Sequence, residues 1–303
     1  MLKKIKNLKI SIHIPLYVDL KKKKQLKNFK KICKSFLSLS NGARIFVYSN
    51  KKFKGNKKIK YFYYDFNKIK EHPYKLTWFC RKKMESQKNR FDVFIYSEDK
   101  ILFTKKNFRY WLEHKDLCIK NDYNLGFLRY EIKNKTFYSD DQVAKSKYYV
   151  NLLNRKYIVP QNTSCALWIY DKNEFKSFIK TKYWKFDWKW TTISGVLLIR
   201  EMSMIGWHGV NMNGIDMNRY LATIIPLKNG ELDKNSFIRD LSNKYSMDPR
   251  GLFGTFKVKD ILEKNLQEFK PTTPVGRFFK RASYILYYFS RINIKKYIKR
   301  LKN

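Results

Sequence analysis

Between Phe91 and Tyr96 every position except Asp92 is apolar, and the run stops at Glu98 and Asp99. A stretch of this kind suits a strand in a sheet covered on both faces, where neither face can be polar. The pattern therefore predicts a central strand with two carboxylates at its carboxyl end. Upstream, residues 8–14 (LKISIHI) predict a first strand that ends at Pro15. Residues 21–39 place Leu26, Phe29, Ile32, Cys33, Phe36 and Leu37 on one helical face. Asn41-Gly42 closes that helix, and residues 43–48 predict a second strand. A charged loop over 51–60 leads to a third strand, 60–64, which ends at Asp65. Pro73 and Thr77 open a helix that runs through Arg81 and Met84. Strand, helix, strand, loop, strand is the opening of a nucleotide-binding α/β domain.

Beyond the acidic pair, Thr104 caps a helix carrying Phe108, Tyr110, Trp111 and Leu112, so Glu98 and Asp99 fall on a strand-to-helix loop. Residues 124–131 and 164–170 predict strands, 172–179 a short helix, and Asp140-Asp141-Gln142 a loop. Residues 183–190 gather Trp184, Trp188 and Trp190 with Asp187. Residues 193–206 predict a helix bearing Arg200 and Glu201, and 221–226 a late strand. Pro271 and Pro274 mark a boundary, dividing the chain into a domain over 1–270 and a basic amphipathic segment over 271–303. Taken as a helix, that segment puts Arg277, Arg281, Arg291, Lys295, Lys299 and Lys302 on one face and Phe278, Ala282, Ile285, Phe289 and Ile292 on another. It suits the surface of an anionic bilayer, or else packing on its own domain with a solvated basic face.

Composition narrows the partners. With 303 residues, 44% hydrophobic and 17% aromatic, the chain can bury a large core. Sixty-six Lys and Arg against 25 Asp and Glu give a formal charge of +41. That field favours polyanions: an anionic membrane, nucleic acid, sugar nucleotides or phosphorylated lipids. Nucleic acid is the weaker choice, because the charge is spread along the chain and no zinc-finger, RNP or KH pattern is present. Cys33, Cys80, Cys118 and Cys165 stand apart, which predicts reduced core thiols in a cytoplasmic setting. The N-terminus lacks a signal-peptide pattern, and no apolar run approaches the roughly 20 residues of a spanning helix. The expectation is a soluble or peripheral protein.

In an open α/β sheet, ligands bind outside the carboxyl ends of the strands. In a chain so poor in acids, the Glu98–Asp99 pair at such a place predicts a positive partner. A hard divalent metal, Mn²⁺ or Mg²⁺, bound to a diphosphate is the candidate. The plainer role for Asp99 is to cap the turn or helix that follows.

Several blocks then line up. His72-Pro73-Tyr74-Lys75-Leu76-Thr77-Trp78, the stretch 91–99, and Asn107-Phe108 with Tyr110-Trp111 resemble a family of glycosyltransferase-like proteins with the glycosyltransferase A fold, whose members carry HP-x-LTW, YxEDD and NF-x-YW blocks. Phe127-Leu128-Arg129-Tyr130-Glu131, Ala166-Leu167-Trp168-Ile169, Ile199-Arg200-Glu201, Ile225-Pro226 and Phe253-Gly254-Thr255 extend the resemblance over most of residues 72–257. It implies an α/β, Rossmann-like, mostly parallel sheet flanked by helices. It also implies an enzyme that moves a sugar from a nucleotide-sugar donor to a lipid-linked or surface-glycan acceptor such as lipopolysaccharide, at the inner face of the cytoplasmic membrane.

On this resemblance Glu98 and Asp99 hold the metal, and Lys100 replaces the second Asp of the usual acidic triplet. Arg239-Asp240-Leu241 stands where the family has a histidine-containing block, and that late histidine is often a third metal ligand. Glu201 is the favoured general base, followed by Asp187 and Glu131; a salt bridge with Arg200 is the plainer role for Glu201. Arg81 is a candidate diphosphate contact, or one surface base among many. Asp65 is placed to accept from ribose or base. The tryptophans 184, 188 and 190 would form a sugar platform or buried core, and His208 a substitute ligand or a structural histidine. The competing classes are a basic nucleic-acid-binding protein and a degenerate, inactive transferase.

Overall fold

In a computed structural model, residues 2–19, 24–69, 73–142, 144–160, 166–181, 184, 220–247 and 256–271 are described. A short helix, α1 (Leu2–Asn7), precedes β1 (Ile10–Leu16). Helix α2 (Gln25–Leu37) buries Phe29, Ile32, Cys33 and Phe36, the face expected from the apolar spacing. It leads to β2 (Arg44–Ser49), which lies parallel to β1, and β3 (Ile59–Tyr63) lies parallel to β2. The single turn α3 (Phe66–Ile69) and helix α4 (Leu76–Glu85) then bring the chain to β4 (Val93–Ser97), parallel to β1 on its other side. Strand β4 is buried over its whole length, as its apolar run requires.

A two-residue strand β5 (Ile101–Leu102), the long helix α5 (Lys105–Lys120), and strands β6 (Asn124–Leu125), β7 (Leu128–Lys133), β8 (Thr136–Ser139), β9 (Ser146–Leu152) and β10 (Arg155–Val159) come next. They are followed by β11 (Leu167–Asp171), α6 (Lys172–Phe178), β12 (Thr223–Lys228), β13 (Glu231–Leu232), β14 (Phe237–Asp240), β15 (Phe256–Lys257) and β16 (Leu262–Glu268). Strand β11 returns antiparallel beside β4, so the first sheet has the order β11-β4-β1-β2-β3. Across it, Phe94 of β4 stacks on Phe175 of α6 with ring centroids 4.2 Å apart. The α/β class expected from the sequence, a Rossmann-like and mostly parallel sheet, is the one observed in this first sheet. The chain leaves β1 for β2 on one side and comes back to β4 on the other. The crevice outside the carboxyl ends of β1 and β4 is therefore a topological switch point, where such sheets bind ligands.

Two further sheets are mixed. One has the order β13-β12-β10-β9-β16, with β6 beside β12; the other is β15-β8-β7-β14-β5. Helix α5 is tied to the second of these through its capping box. Thr104 and Asn107 cap each other, while Asn107 Nδ2 donates to the carbonyls of Asn235 and Phe237 at 2.7 and 2.8 Å.

The structure departs from the sequence pattern in three places. Strand β1 continues through Pro15 to Leu16, because pairing with β4 ends at His13 and Pro15 occupies what is locally an edge. The strand expected over 124–131 is broken into β6 and β7, which join different sheets. Gly126 permits the break: a Cβ there would lie 2.5 Å from Thr223 Cγ2. The hairpins β7–β8 and β9–β10 were not evident from the sequence, since their turns, Asn134-Lys135 and Leu153-Asn154, reach positive φ without glycine. The 193–206 helix, most of the 183–190 cluster and the tail from 272 lie outside the described residues.

Under the first sheet, four polar side chains form a closed set. Ser11 Oγ donates to Gln87 Oε1 at 2.8 Å and lies 2.6 Å from His13 Nε2. With the Ser11 proton committed to Gln87, His13 carries its own on Nε2, and Nδ1 accepts from the Tyr48 hydroxyl at 2.8 Å. Burial pushes the His13 pKa down to about 3, against the Gln87 bond that raises it. His13 is fully buried, and its ring stacks on Phe46 with centroids 5.0 Å apart.

Candidate active site

Strand β4 delivers Glu98 and Asp99 to the switch point. The turn is held by Glu98 N donating to the Ala166 carbonyl at 2.8 Å and Ile101 N to the Glu98 carbonyl at 3.2 Å. Gln25, the first residue of α2, reaches across from the end of β1. Its Nε2 donates to Asp99 Oδ2 and to the Tyr17 carbonyl, both at 2.8 Å. Burial raises the Asp99 carboxyl to about 6; the Gln25 bond opposes the rise and neighbouring Glu98 adds to it. Lys100 Nζ lies 3.4 Å from Glu98 Oε2 and 3.0 Å from Asp240 Oδ2, and 4.9 Å from the centre of the Tyr245 ring. Burial works against this ammonium, but Glu98 and Asp240 lift its pKa above the ordinary lysine value.

Behind Lys100 sits a second tier built on β7. Arg129 and Glu131, two residues apart on one strand, share a face. Arg129 Nε lies 3.0 Å from Asp140 Oδ2, Nη2 2.7 Å from Asp141 Oδ1, and Nη1 3.8 Å from Asp240 Oδ2. Burial disfavours the guanidinium charge, yet Asp141, Asp140 and Asp240 hold its pKa well above the usual value. Glu131 is fully buried and accepts from the amides of Tyr245 and Ser246 at 3.2 and 2.6 Å. One carboxylate oxygen each from Glu131, Asp140 and Asp240 lies within 4.8 Å of the others. Burial raises the Asp140 pKa; Arg129 opposes the rise, and Asp141, Asp240 and Glu131 add to it. The register explains the convergence. Strand β14 pairs parallel with β7, Arg239 opposite Tyr130, and antiparallel with β5, Asp240 opposite Ile101. Asp240 is thereby carried to Lys100 on one side and to the β7 acids on the other.

The sequence-derived candidates fall into different places. Glu98, Asp99, Lys100 and Glu131 converge as described. Glu131, with both carboxylate oxygens engaged by amides and no exposure, is not presented to an acceptor hydroxyl as a base would be. Asp65 is half-buried and caps α3, accepting from Asn67 N at 3.2 Å. Arg81 is buried, its guanidinium 4.4 Å from the Trp78 ring centre and 5.3 Å from that of Trp184, with Nη1 donating to the Trp184 carbonyl at 2.7 Å. That packing sets the guanidinium against two indole rings. Trp184 is buried between Phe175 and Phe178, as a core residue. Glu201, Asp187, His208, Trp188 and Trp190 lie outside the described residues. Arg129, Asp140, Asp141 and Asp240 were not singled out as site residues. The adjacent Asp140-Asp141 pair, in a chain with so few acids, was the signal available for them.

The donors at Glu98 and Asp99 are all oxygen, so a hard divalent ion fits the pair. Lys100 already faces Glu98, which makes Asp99 the principal ligand. No helix among the described residues is long and apolar enough to cross a membrane.

No family model matches the chain, and no curated protein matches it in sequence. Among solved structures it is similar to the bifunctional IspDF of Campylobacter jejuni, at 16% identity over 62% of this chain and 47% of that one, with a TM-score of 0.32. It is similar to residues 1–349 of TarS from S. aureus, at 12% identity over 57% and 48%, with a TM-score of 0.34. An active-site mutant of LgtC is 10% identical over 65% and 69%, with a TM-score of 0.34. The chain spans about half the length of the first two.

Proposed function

We propose that the protein transfers a sugar from a nucleotide-sugar donor to a glycan or lipid-linked acceptor, with Mn²⁺ or Mg²⁺ held by Asp99 and Glu98. The observation that carries this reading is the carboxylate pair at the end of β4, in the crevice between β1 and β4. When bound, the cation supplies neutralisation of the leaving diphosphate, worth several kcal/mol. The chain's own residues orient it. Gln25 holds the Asp99 carboxylate in place, and Lys100, kept charged by Glu98 and Asp240, adds a fixed positive charge where phosphate oxygens would lie. The base that takes the acceptor proton is assigned to Glu201, then Asp187. The basic segment after Pro274 would draw the enzyme to an anionic membrane that carries the acceptor. Liposome sedimentation of the full chain against a chain ending at Pro274 tests this, and equal pelleting would place the contact on the folded body instead.

The test of the main reading is a thermal-shift screen of nucleoside diphosphates with and without Mn²⁺. A nucleotide at 100 times its dissociation constant adds about 2.7 kcal/mol of stability. The reading expects such a shift for at least one nucleotide, larger with Mn²⁺. No shift with any nucleotide would overturn it.

A further inference from the structure

Glu131, Asp140 and Asp240 lie behind Lys100, apart from the Glu98–Asp99 pair, and differ from it in being sealed: their exposures are 0, 1 and 0%. Two of these carboxylates keep buried oxygens without a hydrogen bond. Asp140 Oδ1 has none, and Asp140 Oδ2 and Asp240 Oδ2 face Arg129 Nε and Lys100 Nζ only as ion pairs. The Asp140 carboxylate is one of the three that converge within 4.8 Å. A further orphan lies on the adjoining segment: Ser246, whose amide binds Glu131, is 5% exposed and its Oγ has no hydrogen-bond partner. Buried polar atoms are satisfied as a rule, and each exception needs a cause such as an absent ion.

Donor chemistry points the same way. The donors are all carboxylate oxygens, which selects a hard cation. Three carboxylate oxygens within 4.8 Å of one another can all reach one such ion at ligand distances of about 2.0–2.6 Å.

We propose that Glu131, Asp140 and Asp240 form a buried site for a hard divalent cation, which clamps the β7–β8 hairpin and β14 beneath Lys100. This site does not rest on the nucleotide-sugar reading, and it would hold its ion without any nucleotide. By fixing β14 it would fix Asp240, and through Asp240 the position of Lys100.

The test uses the full chain stripped of metal with a chelator, then given Ca²⁺ alone. Thermal unfolding and equilibrium dialysis against radiolabelled calcium are followed in wild type, Asp140→Asn and Asp99→Asn. The proposal expects saturating Ca²⁺ to raise the wild-type Tm by about 5 °C, the response to shrink in Asp140→Asn, and to persist in Asp99→Asn. Without metal, the melting of Asp140→Asn gives the baseline for that variant. If that variant folds poorly, the dialysis of the other two proteins still decides: the proposal expects at least one calcium ion retained per Asp99→Asn chain. An unresponsive wild type, a normal response in Asp140→Asn, or loss of calcium by Asp99→Asn would each overturn the proposal. None of these outcomes touches the nucleotide screen, so the two readings fail separately.

Discussion

Two buried sets of polar side chains differ in whether their donors and acceptors are matched. Around His13, the Ser11 and Tyr48 hydroxyls, both His13 ring nitrogens and Gln87 Oε1 all have partners, and the ring is held neutral. Around Arg129, oxygens of Asp140 and Asp240 are left without hydrogen bonds. A matched set needs nothing but the fold, and burial strengthens its hydrogen bonds. An unmatched set is tolerated only if something else completes it. The contrast separates a structural network from a site, although both are equally hidden from water.

The largest expected effect tests the cation side of that contrast. Arg129→Met removes the guanidinium that faces Asp140, Asp141 and Asp240 and leaves their charges uncompensated. Urea unfolding should show a loss of about 3–5 kcal/mol. A loss below about 1 kcal/mol would mean that the acids are already neutral in the native state, and the contrast would collapse.

Next in size is acid sensitivity on the matched side. His13 has a native pKa pushed down to about 3, below its ordinary 6.5. Between these values the unfolded chain binds a proton that the native protein refuses, so stability is full above 6.5 and falls as the pH drops. By pH 4 the loss should reach roughly 3 kcal/mol. His13→Gln keeps polar contacts but does not titrate. Its stability difference between pH 6.5 and pH 4 should be smaller than that of wild type by this amount; identical pH slopes would show that water reaches the ring.

Asp99→Asn should weaken Mn²⁺-dependent nucleotide binding about tenfold, near 1.4 kcal/mol, with little change in unfolding. Isothermal titration measures it, and unchanged affinity would move the donor site off β4. The smallest effect compares two serines. Ser11→Ala strips a partner from both His13 and Gln87 and should cost about 1–2 kcal/mol. Ser246→Ala removes a hydroxyl with no hydrogen bond and should fall within about 0.5 kcal/mol of wild type in metal-free buffer. Equal costs would erase the distinction between the two sets.

The local pattern was enough for the elements that organise the molecule. The apolar run from Val93 to Tyr96 demanded a strand covered on both faces, and the spacing of Phe29, Ile32, Cys33 and Phe36 demanded a helix with one buried face. It also placed Glu98 and Asp99 at the end of a central strand, because strand polarity and a following cap at Thr104 leave them no other position. It could not show that Arg81 is packed between Trp78 and Trp184, since a guanidinium stacked on rings and one offered to phosphate have the same local sequence. Nor could it assemble the second tier. Arg129, Asp140 and Asp240 are brought together only by the pairing of β7 with β8 and β14, and of β14 with β5. Register across a sheet depends on which strands meet, not on their own residues. Whether a carboxylate is solvated or buried against two others is therefore decided by long-range pairing, and that decision turns scattered acids into a site.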